Sequence, residues 1–455
     1  MLSKRRGILH LLYGVRSLSA NITNKNKVEE LMDSKHVPQD KEATLYIHWP
    51  YCQKRCHYCN FNKYISQNVD HEKMKKYLVR ETKTLLSMSG VERVKSIFFG
   101  GGTPSLAEPG TISAIVDCIR DTVAMAPDAE VSMEANPTSA EWFRLSEFKT
   151  AGINRLSLGV QSFKDSFLTL LGRNHSSLDA LRALEAAKTL FPGKVSLDLI
   201  FGIPNQTLTD WKEDLEGVLK VCDNHISLYQ LTLERGTNLF KWHQAGDVSL
   251  PDADETADMY QIALDTMAEA GFRRYEVSNF VRDDSVSIHN LSYWTGGQYI
   301  GVGPGAHGRF ALPGGNNRES FYGQREARVQ TLEPNSWMCE VEKFGHATCK
   351  RVKLSQLDSL KELIMTGLRT DRGIANRTWM QLSGGKSLID IFGNCQTLNT
   401  LGERGLLELT CNSFRVTDKG LIVLDSIIPD VLNGLDSFYA RKSSILYVLD
   451  NNTHL

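Results

Sequence analysis

The fold of this chain is decided by the stretch Thr44-Leu45-Tyr46-Ile47-His48-Trp49-Pro50-Tyr51-Cys52-Gln53-Lys54-Arg55-Cys56-His57-Tyr58-Cys59. Its first six residues are a β-branched and aromatic run that predicts a strand, and Pro50 stops it. Three cysteines follow at the spacing Cys52-x3-Cys56-x2-Cys59. Thiolates are soft ligands that suit zinc or iron–sulfur clusters. A structural zinc site takes four protein ligands, usually as two separated pairs. No second pair is present, and His57, as a neighbour of Cys56, would strain a site of three cysteines and one histidine. A four-iron cluster held by three thiolates leaves one iron open to another ligand. The scattered Cys118, Cys222, Cys339, Cys349, Cys395 and Cys411 read as small buried hydrophobes or idle thiols.

Outward from this stretch, short strand-like runs alternate with longer amphipathic ones. Strands are expected at Thr44–Trp49, Ser96–Phe99, Glu130–Glu134, Arg155–Val160, Val195–Phe201 and Ile226–Thr232. Helices are expected at His71–Ser87, Gly110–Val123, Ser177–Leu190 and Thr209–Val221. Such alternation predicts parallel β/α units, and six of them make an incomplete (β/α)6 barrel rather than a full one of eight. In β/α barrels the chemistry sits at the C-terminal strand ends. Residues 43–250 form this part. In 251–335 a helix Asp252–Ala270, a strand Tyr275–Phe280 and a Gly-rich tract Gly301–Gly308 are expected, with Asn316–Pro334 polar and irregular. From 340 to 430, helices beginning at Leu354–Leu368 and a hairpin Gly405–Leu409/Phe414–Val416 resemble a winged-helix module, closed by a helix Thr417–Ile428 that opens on a Thr N-cap.

The strand ends carry the polar candidates. Phe98-Phe99-Gly100-Gly101-Gly102-Thr103-Pro104 follows the second strand, and consecutive glycines let backbone approach a ligand. Glu134, Gln161, Arg173 and Asp198 recur at later strand ends and ring the barrel mouth. Lys and Arg number 52 against 53 Asp and Glu, a balance with no electrostatic footprint for nucleic acid. No apolar run approaches the roughly 20 residues of a membrane span. The first acid is Glu29, and Lys4, Arg5, Arg6, Arg16, Lys25 and Lys27 precede it. Residues 1–35 therefore have the composition of a mitochondrial transit peptide, against the alternatives of a cytosolic tail or a secretory signal.

The cysteine triplet followed by Gly-Gly-Gly-Thr-Pro resembles the radical S-adenosylmethionine (SAM) enzymes. Gly159-Val160-Gln161-Ser162-Phe163 and Asp198-Leu199-Ile200-Phe201-Gly202-Ile203-Pro204 narrow the resemblance to the branch that contains anaerobic coproporphyrinogen III oxidases. Within it the chain is most similar to the HemW-type haem chaperones, whose animal members are mitochondrial. Coproporphyrinogen III dehydrogenases carry one more cysteine two residues past the third, where this chain has Phe61. HemW-type chains carry a His-Asn-x-x-Tyr-Trp word, found here as His289-Asn290-Leu291-Ser292-Tyr293-Trp294.

The resemblance implies a 4Fe-4S cluster on Cys52, Cys56 and Cys59, with SAM on its fourth iron. Tyr46, Tyr58, Gly101, Gly102, Thr103 and Glu134 would contact SAM; Gln161, Arg173 and Asp198 fall where the dehydrogenases bind a second SAM. His289 is a haem ligand or a packed structural histidine, with His307 a weaker candidate for either role. The leading reading is a haem-binding chaperone on a radical SAM scaffold. Its partners would be haem, haem-acceptor proteins and an electron donor, with a homodimer left open. The alternatives are oxygen-independent coproporphyrinogen III decarboxylation, disfavoured by Phe61, and another radical SAM reaction such as methyl transfer.

Overall fold

The computed structural model describes residues 41–138, 141, 143–312 and 325–452, the last twelve without their side chains. The leader expected at 1–35 lies outside the described residues. Six parallel strands form the centre of one sheet: β1 Glu42–Trp49, β2 Arg93–Gly101, β3 Ala124–Ala135, β4 Arg155–Gln161, β5 Val195–Phe201 and β6 His225–Gln230. The crossovers use helices His71–Ser89, Pro109–Thr122, Leu145–Thr150, Ser177–Leu190 and Leu208–Val221. Each forms for local reasons. Ser177–Leu190 starts on a Ser176/Asp179 capping box and buries Ala180, Ala183, Leu184 and Ala187 at helical spacing. Leu208–Val221 repeats the device with Thr207 and Asp210 and buries Trp211, Leu215 and Val218.

The alternation along the strands sets the two faces of the sheet. Leu45, Ile47, Ile97, Phe99, Val131, Met133, Leu156, Leu158, Leu197, Leu199, Ile226 and Leu228 belong to the main apolar core with the helices. The intervening residues share the other face in three layers, ordered from the N- to the C-terminal end of each strand and linked by side-chain contacts such as Arg155–Glu130 (3.7 Å) and Ser157–Asp198 (2.8 Å). Thr44, Ser96, Glu130, Arg155, Ser196 and His225 lie nearest the N-terminal ends. Tyr46, Phe98, Ser132, Ser157, Asp198 and Ser227 come next, and His48, Gly100, Glu134, Gly159, Ile200 and Tyr229 lie nearest the C-terminal ends. This inner face is largely polar, so it needs partners other than apolar packing.

The six expected units are present, and the sheet is larger than they are. Among the described residues it has twelve strands: β7 Arg273–Glu276, β8 Asn279–Val281, β9 Gln298–Val302, β10 His307–Ala311, β11 Arg325–Gln330 and β12 Thr348–Lys353 join the six, in the order β12-β11-β10-β9-β1-β2-β3-β4-β5-β6-β8-β7. The strand expected at Tyr275–Phe280 is instead a hairpin of β7 Arg273–Glu276 and β8 Asn279–Val281, antiparallel to β6. The Gly-rich tract is bounded by strands on both sides: β9 Gln298–Val302 pairs parallel with β1, and β10 His307–Ala311 turns back along it. The stretch expected to be irregular contains β11 Arg325–Gln330, which pairs with β10 and with β12 Thr348–Lys353. Its charges hid it. Arg328 is buried because Glu326 accepts from its Nε at 3.1 Å and Nη2 at 2.9 Å, and the guanidinium lies 4.8 Å from the Phe310 ring centroid.

Apart from Val277, which packs against it, the second core is built from residues 357 onward, later than the expected boundary at 340, because β12 still belongs to the large sheet. Helices Gln356–Gly367, Asn376–Ser383, Leu388–Phe392 and Gln396–Glu403 pack with a sheet of Ile374–Ala375, Leu407–Leu409 and Ser413–Val416. Trp379, Phe392 and Phe414 pack at its centre as tilted rings, 5.5 and 5.2 Å between successive centroids. Thr417 caps the following helix as expected, but that helix ends at Ile422 and a second runs from Leu424.

One buried carboxylate ties the extension to the barrel. Glu81, on helix His71–Ser89, accepts from Gly303 N–H (2.8 Å), Ala347 N–H (2.8 Å) and Trp337 Nε1–H (2.9 Å). Gly303 must be glycine, since its φ is +99° and a Cβ would lie 2.4 Å from the His48 carbonyl oxygen. Glu81→Ala leaves three buried donors without an acceptor and is expected to cost about 3 kcal/mol or more. Equilibrium denaturation of wild type and variant measures the difference.

Candidate metal and cofactor site

Parallel strands in register end at one level, and their loops converge there. The loop after β1 carries the cysteines and the turn after β2 carries the glycines; the register sets Trp49 beside Gly101. Gly102 N–H donates to the Trp49 carbonyl (2.7 Å) and Thr103 N–H to the Tyr51 carbonyl (2.9 Å). The glycine requirement is set by protein, not only by a ligand. Gly101 has φ +110°, and a Cβ there would meet the His48 ring at 2.4 Å.

A cavity of about 450 Å³ opens at these strand ends. Its wall brings together Cys52, Cys56, Cys59, Tyr58, Gly101, Gly102, Thr103, Glu134, Gln161, Arg173 and Asp198. Sequence reasoning named all eleven. It missed Lys63, Asn136, Glu141, Ser157 and Tyr229, which line the same wall. Asn136 was signalled by its place just after Glu134 at a strand end. Lys63 had no signal of its own.

Each sulfur environment is built from side chains. Thr103 Oγ1 donates to Cys52 Sγ at 3.3 Å and accepts from Asn136 Nδ2 at 3.3 Å. Burial pushes the Cys52 thiol up to about 11, while the Thr103 hydroxyl and the more distant Lys63 charge pull it down. Arg173 Nη1 donates to Cys56 Sγ at 3.5 Å, and its Nη2 donates to Asn136 Oδ1 (2.5 Å) and the Gly159 carbonyl (2.8 Å). His57 is turned away: its Nδ1 is 2.9 Å from the Leu170 carbonyl and its ring abuts Trp242. Among the described residues no three His, Cys, Asp or Glu side chains are placed to share one metal ion. The single-zinc alternative therefore has no support in this geometry. Three soft thiolates around one cavity match the donor set of a multi-iron cluster.

The opposite wall is acidic. Glu134 Oε2 accepts from Gly101 N–H at 3.1 Å; burial raises its pKa to about 7, the N–H opposes this, and the Asp198 carboxylate adds to it. Asp198 Oδ2 accepts from Ser157 Oγ (2.8 Å), and burial raises this carboxyl to about 6 against the hydroxyls of Ser227 and Ser157. Asp198 Oδ1 and Arg173 Nε are buried without a hydrogen-bond partner, so the wall presents an acceptor and a donor still to be satisfied. Gln161 sits at a register shift at the end of β4 with φ +73°. A non-glycine residue there stores strain, a feature of sites where a side chain must be aimed.

Tyr46, His289 and His307 do not line the cavity. Tyr46 lies one layer below it, its hydroxyl 3.0 Å from His48 Nδ1. His307 is exposed at the start of β10. His289 is deeper still, in the seven-residue helix Ile288–Trp294. Its Nδ1 is 3.0 Å from Ser96 Oγ and its Nε2 is 2.8 Å from the Tyr293 hydroxyl, while its ring stacks on Phe98. Burial alone pushes it down to about 3. Both ring nitrogens are engaged, and ligation of an iron would break one of these bonds. The helix as a whole meets the lowest layer of the sheet: Glu130 accepts from Ser287 Oγ and from the Ile288 and His289 N–H groups, and Thr44 Oγ1 lies 3.1 Å from Ser292 Oγ. Arg155 donates to the Ser285 carbonyl, and the Tyr275 hydroxyl joins Asn290 to His225. The segment plugs the polar face at the end away from the cavity.

Residues 46–218 match the Radical SAM superfamily and residues 354–423 the HemN C-terminal domain. The chain is 50% identical over 406 residues to the mitochondrial radical S-adenosyl methionine domain-containing protein 1 of Bos taurus, covering 89% of this chain and 91% of that one. It is 31% identical over 393 residues to the heme chaperone HemW of Bacillus subtilis (strain 168), covering 86% of this chain and 100% of that one. Its fold is similar to that of coproporphyrinogen III oxidase (HemN) from Escherichia coli, a radical SAM enzyme, with a TM-score of 0.69 over 88% of this chain and 91% of that one. Identity there is 20%, a likeness of fold alone.

The strain at Gln161 has a measurable consequence. Gln161→Gly relieves a positive φ, so the ligand-free protein should gain up to about 1 kcal/mol. The same change removes a cavity side chain, so a SAM molecule seated there would be held less tightly. Denaturation and SAM titration of one preparation check both signs.

Proposed function

The chain belongs to the family of radical S-adenosyl methionine domain-containing protein 1 and HemW within the radical SAM superfamily, and from that premise we propose that it is a mitochondrial haem chaperone. What carries the reading is coverage: the likeness to the Bacillus subtilis haem chaperone runs the whole length of that protein, barrel and C-terminal module together. Cys52, Cys56 and Cys59 would hold three irons of a 4Fe-4S cluster, leaving the fourth without a cysteine ligand. The chemistry such a cluster supplies with SAM, given an electron from a donor protein, is one-electron cleavage. Glu134 would accept from the SAM amino group, and Gly101, Gly102 and Thr103 would present backbone to its methionyl end. Tyr58, Gln161, Arg173 and Asp198 would hold the remainder and exclude water. Haem is the cargo, passed to an acceptor protein.

His289 is assigned to the plug rather than to haem, because both its nitrogens have partners. Phe61, at the cavity mouth where the dehydrogenases carry a further cysteine, favours the chaperone over decarboxylation. The test is anaerobic purification of the full chain, haem titration by optical spectra, and an assay for decarboxylated coproporphyrinogen. Haem uptake without decarboxylation is expected; decarboxylation without haem uptake would reverse the reading.

The plug assignment predicts that His289→Ala keeps haem affinity and loses about 2–4 kcal/mol of stability, since it removes a buried ring bonded at both ends. Unchanged stability with weaker haem binding would return His289 to haem. The raised pKa values of Glu134 and Asp198 predict a pH dependence of their own. Cationic SAM favours the ionised carboxylates, which form as pH rises through about 6 to 7. SAM affinity should therefore climb between roughly pH 6 and 8, and Glu134→Gln should flatten the curve.

A further inference from the structure

Lys63 is 8% exposed, so its side chain is largely enclosed by protein. A buried ammonium has three donors to place and a charge to compensate. Two donors are used, on the Cys59 carbonyl at 2.5 Å and the Phe61 carbonyl at 3.5 Å. Both acceptors are neutral, and among the described residues no carboxylate lies within ion-pair distance of the nitrogen. Lysines are almost never buried in this way unless paired. The side chain lines the same cavity as the three cysteines, and its charge acts on the Cys52 sulfur. It is also held from both sides. Asn62 Nδ2 donates to the Pro304 and Leu332 carbonyls, and Tyr64 N–H donates to the Pro50 carbonyl.

A lysine side chain fixed in a thiolate-lined cavity has one natural counter-charge for its ammonium, the anionic assembly that the thiolates hold. We propose that Lys63 is a positioning residue for the cluster: it tethers the loop at Cys59 and sets its positive charge beside the sulfurs, raising the cluster's reduction potential. Net charge and hydrogen bonding around the sulfurs are the levers that set such potentials. Reduction adds one electron and neither makes nor breaks a bond, so the more negative state gains more from the nearby ammonium. Arg173, donating to Cys56, acts in the same sense from the opposite side. The proposal rests on the reading that Cys52, Cys56 and Cys59 hold an iron–sulfur cluster.

The experiment uses the full chain, reconstituted anaerobically with iron and sulfide, as wild type, Lys63→Met and Lys63→Arg. Each is titrated potentiometrically with dithionite as the electron source and followed by electron paramagnetic resonance. Lys63→Met should take up wild-type iron and lose at least tenfold in its reduction equilibrium, a shift of about 59 mV to more negative potential. Lys63→Arg, which keeps the charge, should stay within a third of that shift. A fully loaded Lys63→Met with the wild-type potential overturns the proposal, as does Lys63→Arg shifting as far as Lys63→Met. Should Lys63→Met lose iron, Lys63→Gln is measured beside it. Iron loss in both neutral variants with full loading in Lys63→Arg supports charge compensation; loss in all three overturns it. A wild type that takes up no iron defeats the cluster reading itself, a result distinct from a loaded wild type indifferent to Lys63.

Discussion

Two backbone hydrogen bonds, from Gly102 to the Trp49 carbonyl and from Thr103 to the Tyr51 carbonyl, lock the turn after β2 onto the loop after β1. The site depends on that junction. It puts the Thr103 hydroxyl on Cys52, the Gly101 N–H on Glu134 and, through Asn136, the Arg173 guanidinium beside Cys56. So close a backbone approach is possible there only because Gly101 and Gly102 have no Cβ, which would lie 2.4 Å from the His48 ring and 2.8 Å from the Tyr51 carbonyl oxygen. The Gly-rich tract after β9 supports the same junction from beneath, with Gly303 against the His48 carbonyl and Asn62 reaching across to Pro304.

The polar inner face of the sheet explains how one barrel serves two purposes. Near the C-terminal strand ends the polar side chains stay available, around a cavity with an acidic wall and a wall of thiols. Near the N-terminal ends the same kind of side chains are consumed by the segment 285–292. Glu130, Arg155, Ser96, Thr44 and His225 each find a partner there or one residue away. The aromatic rings of Phe98 and Tyr46 separate the two regions, stacked between His289 and the layer of His48. The plug thus gives each of these buried residues at least one partner, with Arg155 Nη1 and His225 Nδ1 left without a hydrogen bond, and leaves the other end open for chemistry.

Much of this was legible in the sequence, for identifiable reasons. The six parallel units follow from alternation of strand and helix periods, and the cavity residues from polar groups recurring where strands end. What escaped had no local signature. β11 reads as polar because its buried charges, Glu326 and Arg328, satisfy each other within the strand. The β7–β8 hairpin turns at Val277-Ser278 without glycine, asparagine or proline. His289 stands out in sequence as a ligand would, and only its three-dimensional partners show that both nitrogens are taken. Lys63 resembles any surface lysine until burial and the missing counter-charge are seen together.

The central claim is that Cys52, Cys56 and Cys59 hold an iron–sulfur cluster with one iron open to SAM. It is tested most directly by iron and sulfide analysis of the anaerobically reconstituted full chain, with electron paramagnetic resonance of the reduced protein before and after SAM is added. The account predicts about four irons and four sulfides per chain, a spectrum that changes with SAM, and loss of both metal and signal when the three cysteines are replaced together by alanine. Stoichiometric zinc in place of iron, or full iron in the triple variant, would contradict it.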